Sequence, residues 1–175
     1  MMNRETIAEG NWLRLEKIGT WEFASRKKGS GAAFIPNVTM DNQCVFVEQF
    51  RPAVGNNAIE WPAGIIGDIE VDEDVVEGAL RELMEETGYE CARSTLVPYS
   101  VASTPGMVSE SSHYVLAYGC TKTGVGGGVD GENIITHIVP FDHVMEWVER
   151  MANSGKIVGT SVFTGMYLLN MYERE

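Results

Sequence analysis

Residues 67–89, GDIEVDEDVVEGALRELMEETGY, restrict the possible folds more than any other part of this 175-residue chain. The stretch opens as an acidic loop and continues as a helix. Asp72 or Asp74 supplies an N-cap, and Gly88 supplies the stop. At about 100° per residue, Glu82, Glu85 and Glu86 share roughly 100° of arc, and Val76, Ala79, Leu80 and Leu83 fill the arc beside them. One face is therefore buried, and the face next to it gathers negative charge. Carboxylates within one turn repel each other unless a cation lies between them. Hard oxygen ligands of this kind suit Mg²⁺ or Mn²⁺.

A solvated acidic face is the plain alternative for a run of glutamates, and the spacing decides against it. Gly67 is followed after five residues by Glu73, and after seven more by Arg81-Glu82-Leu83-Met84-Glu85-Glu86-Thr87-Gly88-Tyr89. Every fixed position of the Nudix box is met, and the chain resembles the Nudix hydrolases, which cleave a nucleoside diphosphate linked to another group. The resemblance implies that Glu82, Glu85 and Glu86 are metal carboxylates, with Arg81 and Glu73 bracing helix and loop as an ion pair. It implies Mg²⁺ as the cofactor, with Mn²⁺ as a substitute. It also implies an α/β fold: an α/β/α sandwich around a mixed sheet.

Ahead of the box, NWLRLEKI and TWEFASRKK read as two strands around a turn at Gly19. Trp12 and Trp21 are either hairpin core or a platform on which a base stacks. The segment is similar to the N-terminal hairpin of the ADP-ribose pyrophosphatase branch of the family. There the matching tryptophans sandwich the adenine, often one from each subunit of a homodimer, with Glu22 and Arg26 as nearby polar contacts. The expected division is a small strand pair over 1–30 and a catalytic domain over 31–175.

AAFIPNVTM reads as one strand and the apolar CVFVEQF as another, the latter central and buried. Glu48–Pro52, EQFRP, resembles the segment preceding the box in sugar-diphosphate hydrolases, so Arg51 is expected on the diphosphate rather than in a surface ion pair. Ala58–Gly64, AIEWPAG, resembles the branch's ELPAG segment. By that likeness Glu60 contacts metal or orients ligand, and the Ala63 carbonyl completes a metal shell. Gly64 and Gly67 are read as sharp turns around the ion.

Beyond the box, Ser94–Ala102 reads as a strand leading into STPGMVSE, with Pro105 sixteen residues past Tyr89, a spacing associated with ADP-ribose-type members. His113 reads as an ordinary residue of the core strand 113–118. Glu110 resembles the glutamate of the family's SPGxTxE loop, a substrate or outer-shell position. Residues 121–131 form a glycine-rich loop that reads as a flexible flap. Glu132, at its junction with a strand, aligns with the glutamate that supplies the family's general base and is preferred over Glu110. Two helices close the chain: one in PFDHVMEWVERM that buries Phe141, Val144, Met145, Trp147, Val148 and Met151, and one over 161–172 that packs Val162, Phe163, Met166 and Leu169.

Composition excludes several classes. A net charge of −12 opposes binding to a nucleic-acid backbone. No apolar run is long enough to span a membrane, and the first ten residues lack the apolar core of a signal peptide. Cys44, Cys91 and Cys120 sit apart among apolar residues and read as core thiols in a reducing cytoplasm. The expected partner, as the resemblance implies, is a small nucleoside diphosphate sugar, ADP-ribose or a related ADP-sugar, cleaved to nucleoside monophosphate and sugar phosphate. AGIIGD and GGGVDGENI also resemble the GDP-mannose hydrolases. A Nudix domain that senses such a ligand without cleaving it is the alternative of another class.

Overall fold

A computed structural model of the chain describes residues 3–29, 31–67, 72–129 and 131–172; residues 68–71 of the acidic loop lie outside them. The N-terminal segment is a three-stranded antiparallel sheet, β1 (Arg4–Glu9), β2 (Leu13–Ile18) and β3 (Trp21–Arg26). The expected pair is β2 and β3, joined at Gly19 with φ +62°. β1 is an addition that sequence reading missed, because RETIAE has no apolar alternation and lies wholly exposed. Polarity in β2 runs opposite to a half-buried strand. Glu16 is buried against Arg4 and Ser25, while Leu13 and Leu15 are exposed. The sheet is tied to the rest of the protein through residues 107–110. Ala24 donates to the Met107 carbonyl at 2.8 Å, Ser109 donates to the Ala24 carbonyl at 3.0 Å, and Arg26 pairs with Glu110.

Ten strands follow: β4 (Gly31–Phe34), β5 (Asn37–Thr39), β6 (Gln43–Arg51), β7 (Asn56–Glu60), β8 (Ala63–Ile66), β9 (Tyr89–Glu90), β10 (Arg93–Leu96), β11 (Ser112–Lys122), β12 (Ile135–Pro140) and β13 (Ile157–Val158). The helices are α1 (Val75–Thr87), α2 (Val144–Asn153), entered through a 3-10 turn at Phe141–His143, and α3 (Thr160–Tyr172). β11 is the spine of a six-stranded sheet, parallel to β4 and β5 and antiparallel to β9 and β10, with β8 on the edge beside β4. A second, mixed sheet runs β12-β6-β7-β13. The Asn37 side chain joins the two: it accepts from the Val45 amide at 2.8 Å and donates to the Val45 carbonyl at 2.9 Å.

The expected α/β/α sandwich is present. α1 buries Ala79 and Leu83 against Ala33, Ile35, Val45, Ile66, Val115 and Ala117. α2 and α3 cover the opposite core, built on Phe46, Ile59, Trp61, Tyr114 and Leu116. The three cysteines are free thiols.

Several element boundaries differ from the sequence reading, each for a local reason. AAFIPNVTM is two strands, because Pro36 has no amide to give and interrupts the ladder. The strand expected over 94–102 ends at Leu96, short of Pro98, and only an isolated bridge from Val101 to Ser112 continues it. The strand expected at Glu132 starts at Ile135. Met145 and Phe163, read as packed, are exposed because they fall outside the buried arcs of their short helices.

Candidate active site

The Asp74 side chain caps α1 by accepting from the amides of Val76 and Glu77 at 2.9 and 3.2 Å. Gly88 ends it in the left-handed conformation, φ +73°, donating to the Met84 carbonyl. Between these caps the helix presents its acids toward the edge strand β8. Glu86 is 4% exposed, and its Oε2 accepts from the Ala63 amide at 3.0 Å. Glu82 lies against the backbone at Gly64, so close that a Cβ there would stand 2.1 Å from its carboxyl carbon. Gly64 is therefore required for space. The sequence reading of it as a turn is corrected, since no left-handed φ is present; Gly67, at φ +77°, does turn.

Arg81 holds the acids apart. Its guanidinium reaches Glu82 at 2.9 Å, Glu85 at 3.1 Å and Glu73 at 3.2 Å, and the other Glu73 oxygen accepts from the Gly67 amide at 3.1 Å. The loop–helix brace of Glu73 and Arg81 is thus in place. Among the described residues, no three acidic, histidine or cysteine side chains converge as a ready metal cage. Burial nevertheless pushes the Glu86 carboxyl up to about 8, with the charges of Glu82 and Glu132 acting in the same direction and the Ala63 amide and Arg51 against them. A buried carboxylate short of positive charge, beside a second carboxylate in a glycine cradle, fits a divalent cation.

Arg51 leaves the end of β6 and pairs with Glu60 on β7 at 2.7 Å, so the ion pair weighed against a phosphate role is present in the resting structure. Glu132 is exposed and close enough to Glu86 to act on its ionisation, whereas Glu110 is engaged by Arg26. Trp12 and Trp21 are 76% and 60% exposed. Trp12 lines a cavity of about 530 Å³ with Asn11, Arg26, Lys27, Lys28 and Ile65. Ile65 adjoins Gly64 in β8, so this cavity and the acid cluster share one strand. Glu22 stands opposite Lys17 in the N-terminal sheet.

A NUDIX domain model matches residues 27–156. The chain belongs to the Nudix family. A methanol dehydrogenase activator of Bacillus methanolicus is 34% identical over 69% of this chain and 63% of its own length. An ADP-sugar pyrophosphatase of Mus musculus is 37% identical over 65% of this chain and 58% of its own length. The chain thus spans less than two thirds of these two relatives. A GDP-mannose pyrophosphatase of Salmonella typhimurium is 31% identical over 88% of the chain and 86% of its length. A crystal structure described as an ADP compounds hydrolase superposes with a TM-score of 0.71 over 99% of this chain and 95% of its own, at 19% identity, a likeness of fold. Nudix hydrolases generally require a divalent cation.

Two parts of this Nudix site escaped sequence reading. The glycine-rich loop is not a free flap but is packed on the C-terminal end of α1. Glu48, 3% exposed, accepts from Asn57 at 2.7 Å, meets His137 at 2.8 Å and pairs with Lys156. It borders a pocket of about 230 Å³ that Glu132 and Asn133 also line. The one available signal was a charged residue directly after the apolar run Cys44–Val47, inside β6.

Proposed function

We propose that this chain hydrolyses the diphosphate of a nucleoside diphosphate sugar, with ADP-ribose or a related ADP-sugar favoured. The observation that carries the reading is the buried Glu86 carboxylate, held by the Ala63 amide beside Glu82 in the Gly64 cradle, with Glu132 within electrostatic reach. Glu82, Glu85 and Glu86, together with the Ala63 carbonyl, would hold Mg²⁺, or Mn²⁺ in its place. Such an ion, when bound, would supply positive charge and favour ionisation of a water. Glu132 takes the proton of that water. The water oxygen bonds to one phosphorus, the bridging phosphoanhydride bond breaks, and a nucleoside monophosphate and a sugar phosphate leave. Arg51 turns from Glu60 to the diphosphate as charge builds there. Arg81 keeps Glu82 and Glu85 oriented.

The exposed Trp12 beside Arg26, Lys27 and Lys28 suits a base with its ribose, whereas Trp21 and Glu22 stand at the other end of the β2–β3 hairpin, opposite Ile18 and Lys17, so that a base held between the two tryptophans would take Trp21 from a second subunit. Leu13 and Leu15 on the same small sheet are exposed as well, which favours a homodimer formed through it. A monomeric mass in light scattering at micromolar concentration would count against the dimer.

GDP-mannose is the second reading, favoured by the GDP-mannose pyrophosphatase likeness over 88% of the chain. The test is product analysis of ADP-ribose, GDP-mannose and ATP with Mg²⁺, for the wild type and Glu132→Gln. One sugar nucleotide is expected to give monophosphate plus sugar phosphate, with the variant about 100-fold slower or more. Binding of ADP-ribose without cleavage of any of the three would replace hydrolysis by ligand sensing.

A further inference from the structure

Helix α1 ends in carbonyls that have no partner within the helix, and its last turn carries partial negative charge. In this protein the glycine-rich loop satisfies them. Gly127 donates to the Glu86 carbonyl at 2.8 Å and Gly128 to the Glu85 carbonyl at 3.0 Å. Thr123 and Gly124 both donate to the Gly88 carbonyl at 2.9 Å. The approach is close enough to exclude side chains: a Cβ on Gly126 would stand 2.4 Å from the Thr87 carbonyl carbon, and one on Gly88 2.3 Å from the Gly124 oxygen. The loop is therefore registered on the very peptide groups whose side chains, Glu85 and Glu86, form the acid cluster.

The segment carrying Glu132 is pinned on both sides. Ahead of it stand Gly127 and Gly128; behind it Ile134 is buried, and its amide points to the Gly127 carbonyl at 3.4 Å. Gly128 lies so near Glu132 that a Cβ would meet its Oε2 at 2.6 Å. One side chain links helix and loop directly. Lys122, the last residue of β11, donates from Nζ to the Thr87 carbonyl at 3.2 Å and to the Val125 carbonyl at 3.3 Å, over the Tyr89 ring at 5.5 Å.

We propose that Lys122 is a positioning residue: its ammonium clamps the glycine loop onto the C-terminal turn of α1 and so fixes Glu132 over the acids of that helix. This rests on the reading of Glu132 as the base. Lys122 touches neither substrate nor the acid side chains; it acts through the loop.

The test pairs kinetics with amide exchange. Lys122→Met keeps the apolar stem and removes the charge, so kcat should fall about tenfold while KM and the Mg²⁺ half-saturation stay within about twofold. Lys122→Arg, which restores two donors, should return kcat to within about threefold of wild type. In a Glu132→Gln background, Lys122→Met should add no further loss, because both changes act through one group. Exchange of the Gly127 and Gly128 amides in the metal-free protein should quicken about tenfold in Lys122→Met. Equal slowing of wild type and Glu132→Gln by Lys122→Met, or unchanged exchange at Gly127 and Gly128, would overturn the proposal. If the wild type cleaves no nucleoside diphosphate sugar, the functional reading fails, whereas unchanged exchange removes the clamp by itself.

Discussion

Gly64→Ala separates the chemistry of the site from the stability of the fold. The added Cβ would stand 2.1 Å from Glu82 Cδ and 2.3 Å from its Cγ and Oε1. Carbons in contact remain about 3.5–4.0 Å apart, so the carboxyl must retreat by roughly 1.4 Å or more. A displacement of about 1 Å in reacting geometry costs on the order of 100-fold in rate, or about 2.7 kcal/mol in the barrier. The fold should tolerate the change, because the atoms in the way are the far end of a flexible side chain and Gly64 has no left-handed φ. Loss of the Glu82–Arg81 pair is offset by the reduced freedom of the unfolded chain, about 0.4–1 kcal/mol for a compatible Gly→Ala. Steady-state hydrolysis with Mg²⁺ and thermal unfolding of the same preparations read the two effects. Gly165→Ala is the contrast: its Cβ would stand 2.2 Å from Trp61 Nε1 and 2.7 Å from Pro36 Cγ. Trp61 is fully buried, its ring centroid 4.1 Å from that of Phe46 at an interplanar angle of 30°, and cannot yield, so overpacking should cost about 1–3 kcal/mol of stability. A Gly64→Ala enzyme with kcat within about threefold of wild type, or one whose loss tracks unfolding, would refute the cradle.

Three further outcomes are expected. Desolvation alone would raise the Glu48 carboxyl, but Lys156, Asn57 and His137 outweigh it and hold it down at about 2. Its folded value is depressed, so its contribution is present above the unfolded value near 4.5 and is lost as pH falls toward 2. Acid unfolding of wild type and Glu48→Gln should therefore converge by on the order of 2 kcal/mol across that window, and parallel curves would contradict it. Arg81→Met leaves the acids without their guanidinium; its melting temperature should drop in a chelator, and millimolar Mg²⁺ should recover much of the drop, since a ligand of the folded state stabilises it. Asp74→Ala should destabilise by about 1 kcal/mol in urea titration through loss of the α1 cap, with KM unchanged.

What could be read from the sequence was local in origin. Asp74, Gly88 and the apolar arc of Ala79 and Leu83 specify α1 from within a few residues, and the spacing of Glu73, Arg81, Glu82, Glu85 and Glu86 then places the acids. Contacts set by strand register were not legible. The β6–β7 register sets Arg51 opposite Asn56 and Glu60 opposite Val47 on one face of the ladder, so Arg51 and Glu60 meet by reaching along the strands rather than directly across them. Glu48 draws partners from residues 57, 137 and 156, which no spacing rule connects. The glycine-rich loop misled for a related reason. Composition reports how little such a segment can bury, and it is silent about carbonyls waiting at the end of a helix packed nearby.

Glu48 and Glu86 together say why this site calls for something from outside the chain. Both carboxylates are buried to a similar degree, at 3% and 4% exposed. Their ionisation nevertheless moves in opposite directions, to about 2 for Glu48 and about 8 for Glu86. Burial alone raises both, so the difference lies in their partners. Glu48 has an ammonium, an amide and an imidazole, and its charge is matched by the protein itself. For Glu86, the Ala63 amide is the one hydrogen-bond donor among the described residues, Arg51 acts only at a distance and is engaged by Glu60, and Glu82 and Glu132 add repulsion. Arg81 could have relieved it but is spent on Glu73, Glu82 and Glu85. A fold that satisfies one buried carboxylate completely and leaves another short of charge, within electrostatic reach of a glutamate on an anchored loop, has its unmet electrostatic demand where the proposed cation and diphosphate would meet.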